Sequence, residues 1–427
     1  MQLPELFIRY ARETMGEELF QRYLESFQQD TPVSIRLNPK KLNLSGETRL
    51  YTETETEQTA TTGMAIKGAE PVPWCRHAYY LPQRPNFTMD PLLHAGCYYV
   101  QEAASMFLDE VLRQHLSTIG SPLSALDLCA APGGKSTLLR AVLPDDCTLY
   151  SNEPIRNRAS ILLENVAKWG HHNHIVTNNY PRDYRKSKMH FDIVLCDVPC
   201  SGEGMFRKDE ATIREWSPQN VERCWQLQRE IVSDAWACLN PGGLLIYSTC
   251  TFNTKENEEN IRWIAEETDA EILPVETSPE WHITGSLLPD FTAPVYRFIP
   301  GISRGEGLFM CVLRKKGGYQ STPVSKKASQ TALNVLSSPL SLQQTESKKT
   351  IEATIDLSFA QAIAYLRGEA MVLPADTPCG PVTVSFMGHP LGLVKNIGTR
   401  ANNLYPKEWR IRTTHIPNEY KPILSQT

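Results

Sequence analysis

Between Asp90 and about Lys315 short, strongly apolar runs alternate with longer stretches whose apolar residues recur at helical spacing. The runs are SALDLCA, CTLYSNE, HIVTNN, DIVLCDV and GLLIYSTC. Several are apolar at consecutive positions rather than at every second one. A strand needs that pattern when both of its faces are covered, so the alternation predicts a parallel sheet flanked by helices. The helices have readable ends. Ser217 and Pro218 supply an N-cap and a first-turn proline for a helix carrying Val221, Trp225, Ile231, Val232 and Ala235. Asn240-Pro241-Gly242-Gly243 is expected to stop it before the next strand.

The flanks read differently. Residues 1–40 begin as an amphipathic helix near Pro4, with Leu6, Phe7, Tyr10, Leu19, Phe20, Tyr23 and Leu24 as its apolar positions. Residues 45–62 are rich in Thr and Glu and read as a loop or edge strand. Residues 317–350 are Ser-, Gln-, Thr- and Lys-rich without periodicity, which predicts a linker. A compact, turn-rich segment follows, with no helix longer than about Phe359–Arg367. The resulting division is an N-terminal extension at 1–90, helical and then small α/β, an α/β domain at 91–316, the linker at 317–350, and a strand-rich domain at 351–427.

Length and composition narrow the class. A chain of 427 residues with 41% hydrophobic and 21% charged residues is expected to be a soluble, multidomain protein. No apolar stretch reaches the roughly 18–20 residues needed to cross a bilayer. Glu5, Arg9, Arg12 and Glu13 interrupt any signal-peptide core, so a cytoplasmic location is expected. The 11 cysteines show no CxxC spacing and read as thiols, and His171, His172 and His174 have no cysteine partners at zinc-ligand spacing. No metal is expected. A net charge of −5 repels phosphate overall, so any nucleic-acid surface must be a local basic patch. The candidates are Arg36–Lys41, Arg182–Lys188, Arg207–Arg214 and Lys395–Arg412.

LSALDLCAAPGGKSTLLRAVL is a strand, a loop of small residues and a helix starting near Lys135. Such a loop brings backbone N–H groups and a helix N-terminus against a ligand. A P-loop would need glycine at Cys129, and a dinucleotide fingerprint needs more than Gly133 and Gly134, so both patterns fail. S-adenosylmethionine carries no phosphate and fits better. Asp127 at the end of one strand can face its ammonium, and Glu153 at the end of the next can accept the ribose hydroxyls.

Two more strand ends carry Asp197 and Cys200 in one case and Cys250 in the other. Ligands of an open α/β sheet bind at those ends, so two thiols and a carboxylate meet the reactive end of the cofactor. Carbon 5 of cytosine is too weak a nucleophile to be methylated directly. A thiolate adding to carbon 6 activates it, given an acid at N3 and a base for the carbon-5 proton. Asp197 suits the N3 role. The residues alone do not choose between the two thiols.

The set DLCAAPGGKST, NEP, FDIVLCDVPCSGEGMFRKD and YSTCTFNTKENEENI closely resembles the Nop2/Sun family of RNA cytosine-C5 methyltransferases, nearest to its bacterial RsmF-like branch acting on small-subunit ribosomal RNA. SIRLNPKK, VQEAASM and RGEGLF extend the resemblance over about Pro32–Lys315, and LRGE, GHPLGLVKN and NNLYPKEWR resemble the branch's PUA-like RNA-binding appendage. The resemblance implies a class I, Rossmann-like methyltransferase domain. It implies S-adenosylmethionine bound by Cys129, Ala130, Ala131, Pro132, Gly133, Gly134, Lys135, Glu153 and Asp197. Cys250 would attack carbon 6 and form a covalent adduct, and Cys200 would help release the product. Family members often carry an acidic residue near the adenine; here VTNNYPRDY offers Asn178 or Asn179, and Asn179 is taken as the contact. Val198 replaces the usual alanine of the PCSG motif. Glu164-Asn165-Val166 matches a DNA-methyltransferase tripeptide in the wrong order relative to Cys200, and reads as helix surface.

The expected substrate is 16S ribosomal RNA, free or in an assembling 30S subunit, handled by a monomer. Rival readings are the same chemistry on transfer RNA, or an idle RNA-binding assembly factor, which the intact Cys250, Cys200 and Asp197 argue against. In the C-terminal domain Lys395, Arg400, Lys407, Arg410 and Arg412 surround Tyr405 and Trp409, either as an RNA surface with stacking platforms or around two core aromatics.

Overall fold

The five apolar runs form the parallel part of one sheet, β1 (Ser124–Asp127), β2 (Thr148–Asn152), β3 (His174–Thr177), β4 (Phe191–Asp197) and β5 (Leu239–Thr249). This is a computed structural model, and it describes residues 3–44, 64–120, 123–268, 270–318, 333–337, 353–413, 415–417 and 419–426. The expected loop at 45–62 and most of the expected linker lie outside those residues. Two further strands, β6 (Ala270–Leu273) and β7 (Leu308–Lys315), complete a sheet of order 6-7-5-4-1-2-3 with β7 antiparallel. Burial explains the continuous apolar runs: Ile193, Val194, Leu195 and Cys196 are all fully buried, so both faces of β4 are covered. The α/β class and the Rossmann-like topology are as expected.

Between the parallel neighbours β1 and β4 the order in which strands are added reverses. From β1 the chain winds towards β2 and β3, and from β4 it winds the other way to β5. The carboxyl ends of these strands therefore open a crevice, into which Asp127, Glu153, Asp197 and Cys250 are delivered. The long helix Pro218–Ala237 is capped as predicted, with Ser217 Oγ accepting the Asn220 N–H at 3.1 Å. It ends at Ala237, ahead of the predicted stop. Asn240–Gly243 lies instead within β5, where the register shifts between Leu239 and Leu244.

The N-terminal helix Glu5–Ser26 is broken at Gly16, whose φ of +75° is open to glycine. The break turns its two halves separately. Phe7, Phe20 and Tyr23 pack on Phe206, Trp216 and Phe252, whereas Leu6 and Tyr10 stay exposed. This helix thus roofs the loops that follow β4 and β5.

Two small four-stranded sheets lie beyond the central one, besides a two-stranded pairing of Met64–Ala65 with Ser425–Gln426. The first orders Glu70–Pro71, Ala78–Leu81, Val33–Leu37 and Tyr98–Val100; the second orders Thr354–Asp356, Gly380–Phe386, His389–Asn396 and Ala401–Asn403 beside the helix Phe359–Leu366. A single apolar cluster runs through both, uniting Ile35, Leu37, Tyr79 and Tyr98 with Ile363, Tyr365, Val384 and Val394. Tyr98 and Tyr420 both donate to the Asp90 carboxylate, at 2.8 and 3.1 Å. The C-terminal domain is folded onto the N-terminal extension rather than tethered beside it.

Several expectations need correction. Tyr405 and Trp409 are buried, in edge contact with each other at 6.2 Å, so they are core residues and not stacking platforms. The Arg36–Lys41 patch is structural. Buried Arg36 bonds Gln101 and Thr137 at 2.9 and 2.6 Å, Lys41 donates to Ala95 and Lys168 carbonyls, and Lys40 pairs with Asp145. Arg207 pairs with Glu306 at 2.8 Å in a buried bridge. Lastly, 317–350 is not linker throughout: Val335–Leu336 adds an antiparallel edge strand to β3, with Leu333 buried beside it.

Candidate active site

The cofactor loop leaves β1 at Asp127 and reaches the helix Gly134–Val142. Cys129 and Ala130 open it, and the Ala130 N–H donates to the Asn152 carbonyl at 2.8 Å, tying the loop to β2. Ala131 and Pro132 carbonyls are held from outside by Arg158 (3.0 Å) and Asn165 (2.8 Å). Gly133 adopts φ +117° at the helix start, which a side chain would strain. Gly134 is fixed by Arg36, which donates to its carbonyl at 3.2 Å. Two domains thus hold one loop, and Arg36 could not be read in that role from its place in a basic run.

The groups at the strand ends have distinct environments. Asp127 is fully buried; Oδ2 accepts from Ser136 Oγ at 2.6 Å, while Oδ1 has no side-chain partner among the described residues. Burial pushes its pKa up to about 7, against the Ser136 hydrogen bond. A buried carboxylate oxygen without a side-chain partner at the cofactor loop is what the ammonium of S-adenosylmethionine requires. Glu153 is buried at the end of β2, where Oε1 accepts the Ile155 N–H at 2.9 Å and Oε2 meets Arg158 at 3.3 Å. Its carboxylate keeps lone pairs for ribose hydroxyls. The residues present therefore fit the cofactor.

Asn179 does not offer the adenine contact expected of it. Its Oδ1 accepts the Asn334 N–H at 3.0 Å and its Nδ2 donates to the Asn334 carbonyl at 3.2 Å, so the side chain grips the added edge strand. Asn178 faces the other way and donates to the carbonyls of Glu153 and Pro154 at 2.8 and 2.9 Å. It therefore steadies the backbone that carries Glu153. The Asn179 role was not visible in the sequence, because its partner strand is 155 residues away.

At the reactive end Lys135 turns away from the loop and pairs with Asp197 Oδ2 at 2.9 Å, while Ser248 Oγ donates to Oδ1 at 2.6 Å. Burial works against the Lys135 charge, but Asp197 outweighs it and raises the Lys135 pKa above its usual value. Cys200 and Cys250 bring their sulfurs to 3.2 Å. The hydrogen bond with Cys250, followed by burial and the nearby Glu256 charge, pushes the Cys200 thiol well up. Cys250 instead lies in the field of Lys135. Glu256 is thus the charge beside Cys200 and Lys135 the charge beside Cys250, so the two sulfurs lie in fields of opposite sign. The remaining cysteines, except half-buried Cys129 and exposed Cys379, are buried.

His171 and His172 stack on each other and His174 bonds Ser151 at 2.8 Å; among the described residues no group of three or more His, Cys, Asp and Glu is placed to hold a metal ion. No helix among the described residues is long and apolar enough to cross a membrane.

The family described as 16S rRNA methyltransferase RsmB/F matches residues 121–314, the N-terminal domain of 16S rRNA methyltransferase RsmF matches 3–103, and the methyltransferase RsmF PUA domain matches 352–411. Ribosomal RNA small subunit methyltransferase F of Cronobacter sakazakii is 28% identical over 95% of this chain and 96% of its own. The protein of the same name from Salmonella heidelberg is 29% identical over the same shares. A methyltransferase homolog from Pyrococcus horikoshii shares the fold with a TM-score of 0.57 at 24% identity, covering 73% of this chain and 95% of that one. NSun6 from the same organism also gives 0.57, at 17% identity, over 74% and 99%. With all three parts matched in the order in which they occur, the chain belongs to the RsmB/F family of S-adenosylmethionine-dependent RNA methyltransferases.

Proposed function

We propose that this enzyme forms 5-methylcytosine in small-subunit ribosomal RNA, in the cytoplasm, with Cys250 as nucleophile and Cys200 as the group that releases the product. The observation that carries the reading is the pair of sulfurs 3.2 Å apart beside the Lys135–Asp197 ion pair. The choice of 16S RNA is supported by the matching family descriptions, which name 16S rRNA, and by relatives named for small-subunit ribosomal RNA that match along nearly their whole length.

S-adenosylmethionine, held by the 129–135 loop, Asp127 and Glu153, supplies an electrophilic methyl group. The protein's own residues do the rest. Cys250 thiolate, stabilised by the Lys135 charge, adds to cytosine carbon 6, and the electron pair displaced from the 5,6 double bond passes through the ring to N3. The proton at N3 comes from the Lys135–Asp197 pair, in which Asp197 is the carboxyl nearest the base and Lys135 the proton reservoir. This refines the expectation that Asp197 acts alone. Once carbon 5 is methylated, the Cys200 thiol passes its proton to the departing Cys250 sulfur and takes the carbon-5 proton in its place, the electrons left behind re-form the 5,6 double bond, and N3 returns its proton to the Lys135–Asp197 pair.

The test is to compare cysteine variants on 16S RNA with labelled methyl donor. Cys250→Ala should give neither adduct nor product, whereas Cys200→Ala should accumulate a labelled protein–RNA adduct that survives denaturing electrophoresis. An adduct in Cys250→Ala and none in Cys200→Ala would exchange the roles, and methylation without adduct in any variant would remove the covalent route.

A further inference from the structure

Two buried glutamates stand outside the chemistry described so far. Glu203 lies on the loop after β4 that carries Cys200, and Glu256 follows the loop after β5 that carries Cys250. Both are almost fully buried. A buried carboxylate is costly unless nearly every lone pair is used, and here the partners are specific. Glu203 reaches across to the Cys250 loop, where Oε2 accepts the N–H groups of Phe252 and Asn253 at 2.7 and 2.9 Å. Its Oε1 accepts from Asn253 Nδ2 at 3.1 Å and Trp216 Nε1 at 2.9 Å. Glu256 reaches back, with Oε2 accepting the Ser201 N–H at 3.0 Å and Gln228 Nε2 at 2.7 Å. Its Oε1 takes Asn253 Nδ2 at 2.8 Å.

The exchange is reciprocal, and each backbone donor sits within three residues of a reactive cysteine. The loops also touch directly. Gly204 N–H donates to the Cys250 carbonyl at 2.8 Å, and a Cβ on Gly204 would lie only 2.8 Å from that carbonyl oxygen. We infer that Glu203 and Glu256 are positioning residues whose crossed hydrogen bonds fix the separation of the Cys200 and Cys250 sulfurs. The geometry stands independently of the chemistry, but its catalytic consequence rests on the roles proposed for the two thiols. Attack and release need both sulfurs within reach of one cytosine ring, and displacing a reacting group by 1 Å costs about 100-fold in rate.

The experiment uses the full chain without RNA or cofactor and the thiol oxidant diamide, which accepts two electrons and two protons as two thiols join in a disulfide. Wild type should form a Cys200–Cys250 disulfide, identified by peptide mass spectrometry. Glu203→Gln and Glu256→Gln keep the shape but replace acceptors with amide donors, and should form it about 10-fold or more slowly while S-adenosylmethionine affinity is unchanged. Their kcat for RNA methylation should fall in parallel at constant KM for RNA. Should either variant fail to fold, Asn253→Ala removes the amide shared by both carboxylates without altering charge, and decides the matter by the same readout. Wild-type disulfide rates in folded variants, or no such disulfide in the wild type, would overturn the inference. Slowed disulfide formation in an enzyme that leaves cytosine unmethylated would instead refute the proposed function and leave the brace intact.

Discussion

Asp127→Asn should make the cofactor-free protein more stable at pH 8 while weakening its hold on S-adenosylmethionine. Asp127 is completely buried, and its pKa rises from the ordinary 3.8 to about 7. A carboxyl whose folded pKa exceeds its unfolded value holds its proton more tightly in the folded state. Its contribution to stability is therefore whole below pH 3.8 and is lost as pH climbs through 7. A rise of about three units, at about 1.4 kcal/mol each, sets an upper bound near 4 kcal/mol on the cost of ionised Asp127 above pH 7. Asparagine carries no such cost, so the stability gap between variant and wild type should open between pH 4 and pH 7 and then stay level. Comparing the two proteins cancels Glu256 and Glu306, whose pKa values are also raised, to about 7 and about 6. The ligand side has the opposite sign. Losing a charge-assisted contact to the ammonium costs about 1.5–3 kcal/mol, or about 10- to 150-fold in affinity. Wild-type affinity should also decline below pH 7, where Asp127 must shed its proton first, and the variant's should not. Denaturant titrations across the pH range, with calorimetry for the cofactor, read both effects. A gap independent of pH, or equal affinity in the two proteins, would show that Asp127 is not the ammonium partner.

Lys135→Met should slow alkylation of Cys250 by iodoacetamide at neutral pH, followed by peptide mass spectrometry, because the cation that favours its thiolate is gone; an unchanged rate would mean another group activates it. Ending the chain after Lys315 should lower the melting temperature and raise binding of an apolar dye, since the cluster around Ile35 and Tyr98 loses its cover of Ile363, Tyr365 and Val384. Each large apolar side chain uncovered costs about 1.5–3 kcal/mol, so a truncated protein with unchanged melting would mean the two small sheets do not share a core.

What could be read from the sequence follows from how local each signal is. DIVLCDVPCSG and GGLLIYSTC announce buried strands opening into loops, and strand ends are where an α/β sheet keeps its chemistry, so Asp197, Cys200 and Cys250 needed no knowledge of distant contacts. Asp127 and Glu153 were legible for the same reason. Groups that act through partners far along the chain were not. Arg36 looked like surface charge, yet it supports Gly134 from 98 residues away. Asn179 looked like a pocket residue, yet both ends of its amide serve Asn334. Tyr405 and Trp409 sat among cations as RNA-stacking residues do, but core aromatics beneath a basic rim have the same spacing.

The two thiols show where the limit lies. Sequence placed both at strand ends and left their roles open, and only the surrounding charges separate them. Lys135 reaches Asp197 and Cys250 from the first turn of its helix, whereas Glu256 lies behind Cys200. That asymmetry depends on loops being held in register by carboxylates that carry no reactive role themselves. A cysteine at the end of a buried strand is common and usually inert. What sets these two apart is the pair of opposite charges beside them, Lys135 and Glu256, held by packing between loops that the chain joins through the helices Glu210–Glu215 and Pro218–Ala237 and a strand.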